Sequence, residues 1–194
     1  LDKLVHDVKQ HVAKVQFPAS VALATRVIGK EGALEKMAGC DAVISCLGMK
    51  RKSPGNPWSK IVGPDDFTST SAELIIDAMR QYGVRRVMAI SSAGVGDSAA
   101  HMNLTMKLLV ATSKVGVAFR DLARMEEAYG RSGLDWMCVR PTRLTDGPKT
   151  GKVVVAKAFG GSASISRADL AAWMVDQVTS NLPFMNRTPQ ISAT

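Results

Sequence analysis

The chain has 194 residues and a mass of 20.7 kDa, with 46% hydrophobic and 22% charged residues, enough for one domain with a sizeable core. No segment approaches the roughly 20 uninterrupted apolar residues of a membrane span, so the expectation is a soluble protein with no membrane partner. The net charge of +8 favours an anionic partner, but the basic residues are scattered and aromatics are only 5%. A single-strand binder's stacking platform is therefore missing, and no nucleic-acid partner is expected.

Leu1 to Val15 places Leu1, Leu4, Val5, Val8, Val12 and Val15 at a helical period, and Phe17-Pro18 should end that helix. Val21 to Ile28 reads as a strand broken by Gly29, and Glu31 to Met37 as two helical turns stopped by Gly39. Asp41 to Gly48 is a second buried strand, ending in a glycine that lets the backbone approach something closely. Met49 to Asp66 is a long polar loop, of a length that is often functional. A helix follows, capped by Thr70 or Ser71, with Leu74, Ile75, Ala78, Met79 and Tyr82 on one face and Gly83 at its end.

From Gly83 the chain enters an apolar, β-branched run, Val84 to Ile90, that breaks into Ser91-Ser92-Ala93-Gly94-Val95-Gly96. This reads as an interior parallel strand opening into a site at its carboxyl end, or as a serine-capped turn. Leu104, Leu108 and Leu109 suggest a short helix, and Phe119, Leu122, Met125 and Tyr129 a longer one. Leu134 to Arg140 is a strand stopped by Pro141, Val153 to Ala156 a short one, Ser166 opens a helix to about Val178, and Gln190-Ile191 marks a last edge strand. Alternating strands and helices with short connections imply an α/β fold, a doubly wound parallel sheet with helices on both faces.

Few residues offer chemistry. Cys40, Cys46 and Cys138 show no ligand spacing, which argues against a metal site and for reduced thiols in a cytoplasmic, reducing compartment. Gly94-Val95-Gly96-Asp97-Ser98-Ala99 imitates a glycine-rich dinucleotide turn, but Asp97 would set a carboxylate where phosphates should sit. Its glycines are read as turn residues. His6 and His11 do not share a helical face and read as surface residues, whereas His101 is either a site residue or a solvated loop residue. Without a Gly-x-Ser-x-Gly elbow, Ser91 and Ser92 are not esterase nucleophiles; hydrogen bonding to a carbonyl or a proton-transfer partner suits them. Glu126 and Glu127 point roughly a hundred degrees apart, so one is expected to cap or pack and the other to be solvated.

Four strings, in order, carry a family resemblance: Gly39 to Gly48; Gly83 to Val87 running into Ser91 to Val95; Ser132 to Trp136 through Val139 to Asp146; and Ile165 to Ala171. Together they resemble the NAD(P)-binding atypical short-chain dehydrogenases, in the branch of NmrA-like proteins and biliverdin/flavin reductases. The resemblance implies a Rossmann-like fold, NADP as cofactor with NAD as the alternative, and a small-molecule substrate. It puts Leu47, Gly48 and Met49 under the adenosine and phosphate side, groups Ser91 with the cofactor-binding residues, and turns Ser92 toward the nicotinamide or substrate as the catalytic residue. Pro141, Thr142 and Arg143 would border the nicotinamide. Residues 1–194 are then one NAD(P)-binding domain whose opening strand and glycine-rich loop, expected before Val21, are missing, as in a fragment. The Tyr-x-x-x-Lys pair is also missing, since Tyr82 is followed four residues on by Arg86 and Tyr129 by Gly133. Two activities remain open: hydride transfer from NADPH to a small carbonyl, quinone or flavin-like acceptor, and a non-catalytic NmrA-like module that senses nucleotide or binds a protein.

Overall fold

A computed structural model describes residues 2–12, 21–24, 37–158, 160–180 and 187–193. Helix α1 (Asp2–Val12) carries the first apolar stripe, with Leu4 and Val8 fully buried. Strand β1 (Val21–Ala24) follows; its expected continuation to Ile28, Gly29 and most of the helix from Glu31 to Met37 lie outside the described residues, as does the Phe17-Pro18 stop. Strand β2 (Ala42–Ser45) is wholly buried. The polar loop after it contains a small antiparallel ribbon, β3 (Lys50–Arg51) against β4 (Ile61–Val62).

Helix α2 (Phe67–Tyr82) begins earlier than its sequence suggests, and its cap comes from elsewhere in the fold. Thr70 is exposed and the Ser71 hydroxyl donates to Phe67 O at 2.5 Å, so neither caps. Instead the buried Asp121 carboxylate accepts the Thr68 N–H at 2.7 Å and the Ser69 N–H at 3.2 Å, with both hydroxyls donating to it as well. Those amides would otherwise be orphans of the first turn. Leu74 stays exposed, and Ala72 and Ile76 join Ile75, Ala78 and Met79 in the core. Gly83 then closes the helix at φ 70°, in the left-handed region a side chain disfavours.

Strand β5 (Arg86–Ile90) leads to a 3-10 turn (Gly96–His101), helix α3 (Leu104–Thr112) and helix α4 (Val115–Arg131). Strand β6 (Asp135–Pro141) includes its proline, whose carbonyl still accepts a hydrogen bond from Ala93 N–H at 3.0 Å. Then come β7 (Arg143–Thr145), β8 (Val153–Val155), β9 (Ser164–Ser166), α5 (Arg167–Thr179), capped by the Ser166 side chain as expected, and β10 (Gln190–Ala193).

The main sheet runs β1-β2-β5-β6-β10-β8, parallel except for the antiparallel β10–β8 pair, and β7 pairs with β9 in a separate ribbon. The expectation of an edge strand at Gln190-Ile191 is therefore corrected: β10 lies between β6 and β8, and β8 forms the edge. Side chains alternate across the sheet with a period of two. Val43, Val87, Ala89 and Cys138 pack under α2 and α4, whereas Ile44, Met88, Ile90, Met137 and Val139 pack on the other face with α1 and α5. The fold is α/β and doubly wound, with helices on both faces. Among the described residues no helix is long and apolar enough to cross a membrane.

Candidate functional site

Beyond Ile90 the chain keeps its register with β6 for two more steps, Ser91 N–H to Val139 O at 2.7 Å and Ala93 N–H to Pro141 O at 3.0 Å. It then turns sharply. The Ser98 hydroxyl receives the Gly94 N–H at 2.9 Å and donates to Val95 O at 2.6 Å, while Val95 N–H reaches Ser92 O at 3.1 Å. Gly94 sits at φ 94°, where an added Cβ would lie 2.7 Å from Met102 Sδ; Gly96 sits at φ 58°, where one would lie 2.6 Å from Arg140 Nη2. Both glycines are turn residues. The Gly94, Val95 and Ser98 amides are engaged within the turn and are not offered to a phosphate.

Arg140 holds this turn from below. Its side chain, 4% exposed, gives Nε and Nη2 to the Glu126 carboxylate at 2.9 and 2.6 Å, and Nη1 to Asp97 Oδ1 at 2.5 Å. Burial opposes the Arg140 charge, but the hydrogen bonds it donates to Glu126 and Asp97 outweigh it and raise its pKa. The Arg140 hydrogen bond in turn holds the Asp97 carboxyl below its ordinary range. The two adjacent glutamates thus divide as expected: Glu126 is the buried partner of Arg140, and Glu127 pairs with Arg131 at the surface at 2.7 Å.

Above the carboxyl ends of β5 and β6 opens a cavity of about 780 Å³. Its walls include five of the sequence candidates: Ser91, Ser92, Pro141, Thr142 and Arg143. Ligands in open α/β sheets bind at such strand ends. Among the described residues, Ser91 Oγ is buried with no hydrogen-bond partner, and Ser92 Oγ donates only to its neighbour's carbonyl, Ala93 O, at 3.2 Å. His101 also lines the cavity. Leu47, Gly48 and Met49 do not; Leu47 is buried and the other two are half-buried at the end of β2.

Sequence reasoning missed the far wall. Met106 and Leu109 of α3 face the cavity, while Leu104 and Leu108 are 83% and 62% exposed. The helix is laid over the site by three contacts. The Trp58 indole N–H donates to Thr112 O at 3.1 Å, Lys114 N–H donates to Pro57 O at 3.0 Å, and Gly116 comes so close to the Val110 carbonyl that a Cβ would collide with it. Arg51 of the small ribbon also lines the cavity. The leucine periodicity marked a helix but not its side, because both faces of α3 are apolar.

Residues 8–181 match the model of a family described as NAD(P)H-binding. Among solved structures, the chain is similar to the anaerobillin reductase ChuY from Escherichia coli, with 23% identity, a TM-score of 0.62, and coverage of 82% of this chain and 66% of that one. The oxidoreductase ylbE from Lactococcus lactis is 13% identical with a TM-score of 0.71 over 99% of this chain and 87% of its own. A short-chain dehydrogenase/reductase from Veillonella parvula, solved in complex with NADP, is 16% identical with a TM-score of 0.60 over 82% and 66%. At these identities the likeness is one of fold, and this chain spans just under two thirds of the length of two of these three proteins.

Proposed function

Because the chain belongs to the NAD(P)H-binding family, we propose that it is an NADP-dependent oxidoreductase of the atypical short-chain type, which reduces a small carbonyl, quinone or flavin-like acceptor. The observation that carries this reading is the cavity at the carboxyl ends of β5 and β6, into which the Ser91–Gly94 turn and the Pro141–Leu144 segment both open. A polar ligand suits it, because its lining carries Ser92, Thr142 and Arg143 beside the apolar side chains. NADP rather than NAD fits the net charge of +8.

Bound NADPH supplies the hydride. In this reading Pro141, Thr142 and Arg143 border the nicotinamide, Ser91 holds its polar edge, and Leu47, Gly48 and Met49 serve the adenosine side. Thr142 is steadied by its hydroxyl, 3.0 Å from Ser192 Oγ, and by its N–H on Ile191 O at 3.0 Å. Ser92 is the hydroxyl with freedom to turn. Its bond to the adjacent carbonyl is long, and exchanging it for a developing oxyanion beside the apolar wall of Met106, Leu109 and Phe119 strengthens it. Neither tyrosine lines the cavity: Tyr82 ends α2, and Tyr129 is fully buried in the core under α2 and α4, where burial raises its phenol pKa.

Calorimetry with NADPH and NADH, followed by NADPH oxidation with a panel of quinones and flavins, tests the proposal. Ser92→Ala should lower kcat about a hundredfold to a thousandfold while the KM for NADPH stays within about twofold. No binding at millimolar NADPH, or turnover indifferent to Ser92, would overturn it. Binding without turnover on any acceptor would favour the regulatory, nucleotide-sensing reading, which the missing Tyr-x-x-x-Lys pair supports.

A further inference from the structure

The densest basic run of the chain, Lys50-Arg51-Lys52, has no part in the reading above. Its two lysines are exposed on the β3–β4 ribbon, but Arg51 is half-buried and lines the cavity. Arg51 Nη2 donates to Pro54 O at 2.7 Å, which fixes the guanidinium plane, and Nε is closed off from solvent with no hydrogen-bond partner. Among the described residues neither Arg51 nor Arg143, the other guanidinium on the wall, forms an ion pair. The described lining holds no Asp or Glu, and Met102, Met106, Leu109, Phe119 and Leu144 make the rest largely apolar.

We propose that Arg51 recognises the substrate: the acceptor is an apolar ring system carrying a carboxylate, and Arg51 holds that carboxylate at the α3 end of the cavity. A neutral apolar occupant would strip the remaining water from a guanidinium whose Nε is already unsatisfied, and nothing would replace it. With Nη2 held on Pro54 O and Nε shut off from solvent, a carboxylate answers the charge through the remaining N–H groups, whose direction the planar guanidinium fixes as a lysine ammonium would not. The phosphates of a nucleotide are the other source of anionic oxygen. They are disfavoured because, under the reading on which this inference rests, Leu47, Gly48 and Met49 serve the adenosine and phosphate side, and none of them lines the cavity. The residues of the nicotinamide side do line it, so this is the acceptor end.

The test compares a naphthoquinone bearing an alkyl carboxylate with its methyl ester. Wild-type protein should prefer the acid about tenfold or more in kcat/KM, a typical margin for a hydrogen-bonded charge. Arg51→Ala should erase that preference, Arg51→Lys should restore part of it, and neither should shift the KM for NADPH more than about twofold. Turnover with no preference for the acid, or a loss of NADPH affinity equal to the loss of preference, overturns the assignment and leaves the reductase reading intact. Calorimetry of the same acid and ester against NADP-saturated protein separates the other failure. If the acid binds in an Arg51-dependent way but no acceptor is reduced, the carboxylate site stands and the reductase reading falls. Circular dichroism of both variants checks that the exposed ribbon tolerates the change.

Discussion

Arg140 is the charge on which the serine turn rests, and its partners differ in what they can contribute. Glu126 meets it in a bidentate fork with both side chains almost fully buried, while Asp97 reaches it from the surface with 86% of its side chain exposed. A surface partner is screened and contributes little, whereas a buried one cannot be removed without stranding the guanidinium. Glu126→Ala should therefore destabilise the protein by about 3–5 kcal/mol, read as a lower urea midpoint at unchanged slope, and Asp97→Asn should move the midpoint far less. Equal effects from the two variants would show that the turn is not anchored through Glu126. The sequence hinted at both halves of this network. Asp97 is out of place for a phosphate turn, and two adjacent glutamates cannot share one role. It could not join them, because the partner of both is a strand residue 14 positions beyond Glu126, and pairing across that distance depends on β6 lying beside β5.

At the scale of elements, one aspartate caps a helix from a distance and another ties a loop to a helix. Asp121 caps α2 from α4, which is why Thr70 and Ser71 misled: a capping signal read within a few residues cannot see a carboxylate some 50 positions away. Ser166, by contrast, caps α5 from the expected place. Beside it, Asp169 accepts the N–H groups of Thr150 and Gly151 at 2.8 and 2.7 Å and the hydroxyls of Thr150 and Ser166 at 3.0 and 2.8 Å, fastening the loop after β7 to α5. Burial alone would raise its carboxyl pKa, but the hydrogen bonds from Gly151, Ser166 and Thr150 outweigh it and hold the pKa below the ordinary value. A folded-state pKa lowered in this way adds stability that is fully present above the unfolded value, near ~4, and is lost as pH falls through the folded one. Asp169→Asn should thus cost stability at neutral pH and flatten the decline in stability below about pH 4. Urea melts of both proteins across that range check it; parallel curves would show that Asp169 is not the titrating link.

The whole molecule is a sheet shared by two cores, and that division was legible in the strands better than in their order. A near-continuous apolar run in Ala42–Cys46 and again in Val87–Ile90, with glycines closing the elements around them, is a local signal that survives folding. So is the polar break after Ile90, which singled out Ser91 and Ser92, whereas Pro141 to Arg143 came from the family resemblance. The inner place of β10 and the cavity wall built by Arg51, Met106 and Leu109 depend on long-range pairing, which short strands and an all-round apolar helix do not encode locally. Two thiols report on the two cores separately. Cys138 belongs to the core under α2 and α4, and Cys46 to the core under α1 and α5. Burial raises the pKa of both, that of Cys46 to about 12, so at pH 8 each is doubly protected, by exclusion and by protonation. In the native protein, brief alkylation at that pH should mark Cys40, which is half-buried, and spare the other two. Because β2, β5 and β6 supply side chains to both cores at alternate positions, neither core can open while the sheet stays intact. Urea-dependent pulses of alkylation, located by mass spectrometry, should therefore show Cys46 and Cys138 gaining label at one common midpoint. If Cys46 took up label at lower urea than Cys138, the α1–α5 layer would open on its own and the shared sheet would not be what couples the halves.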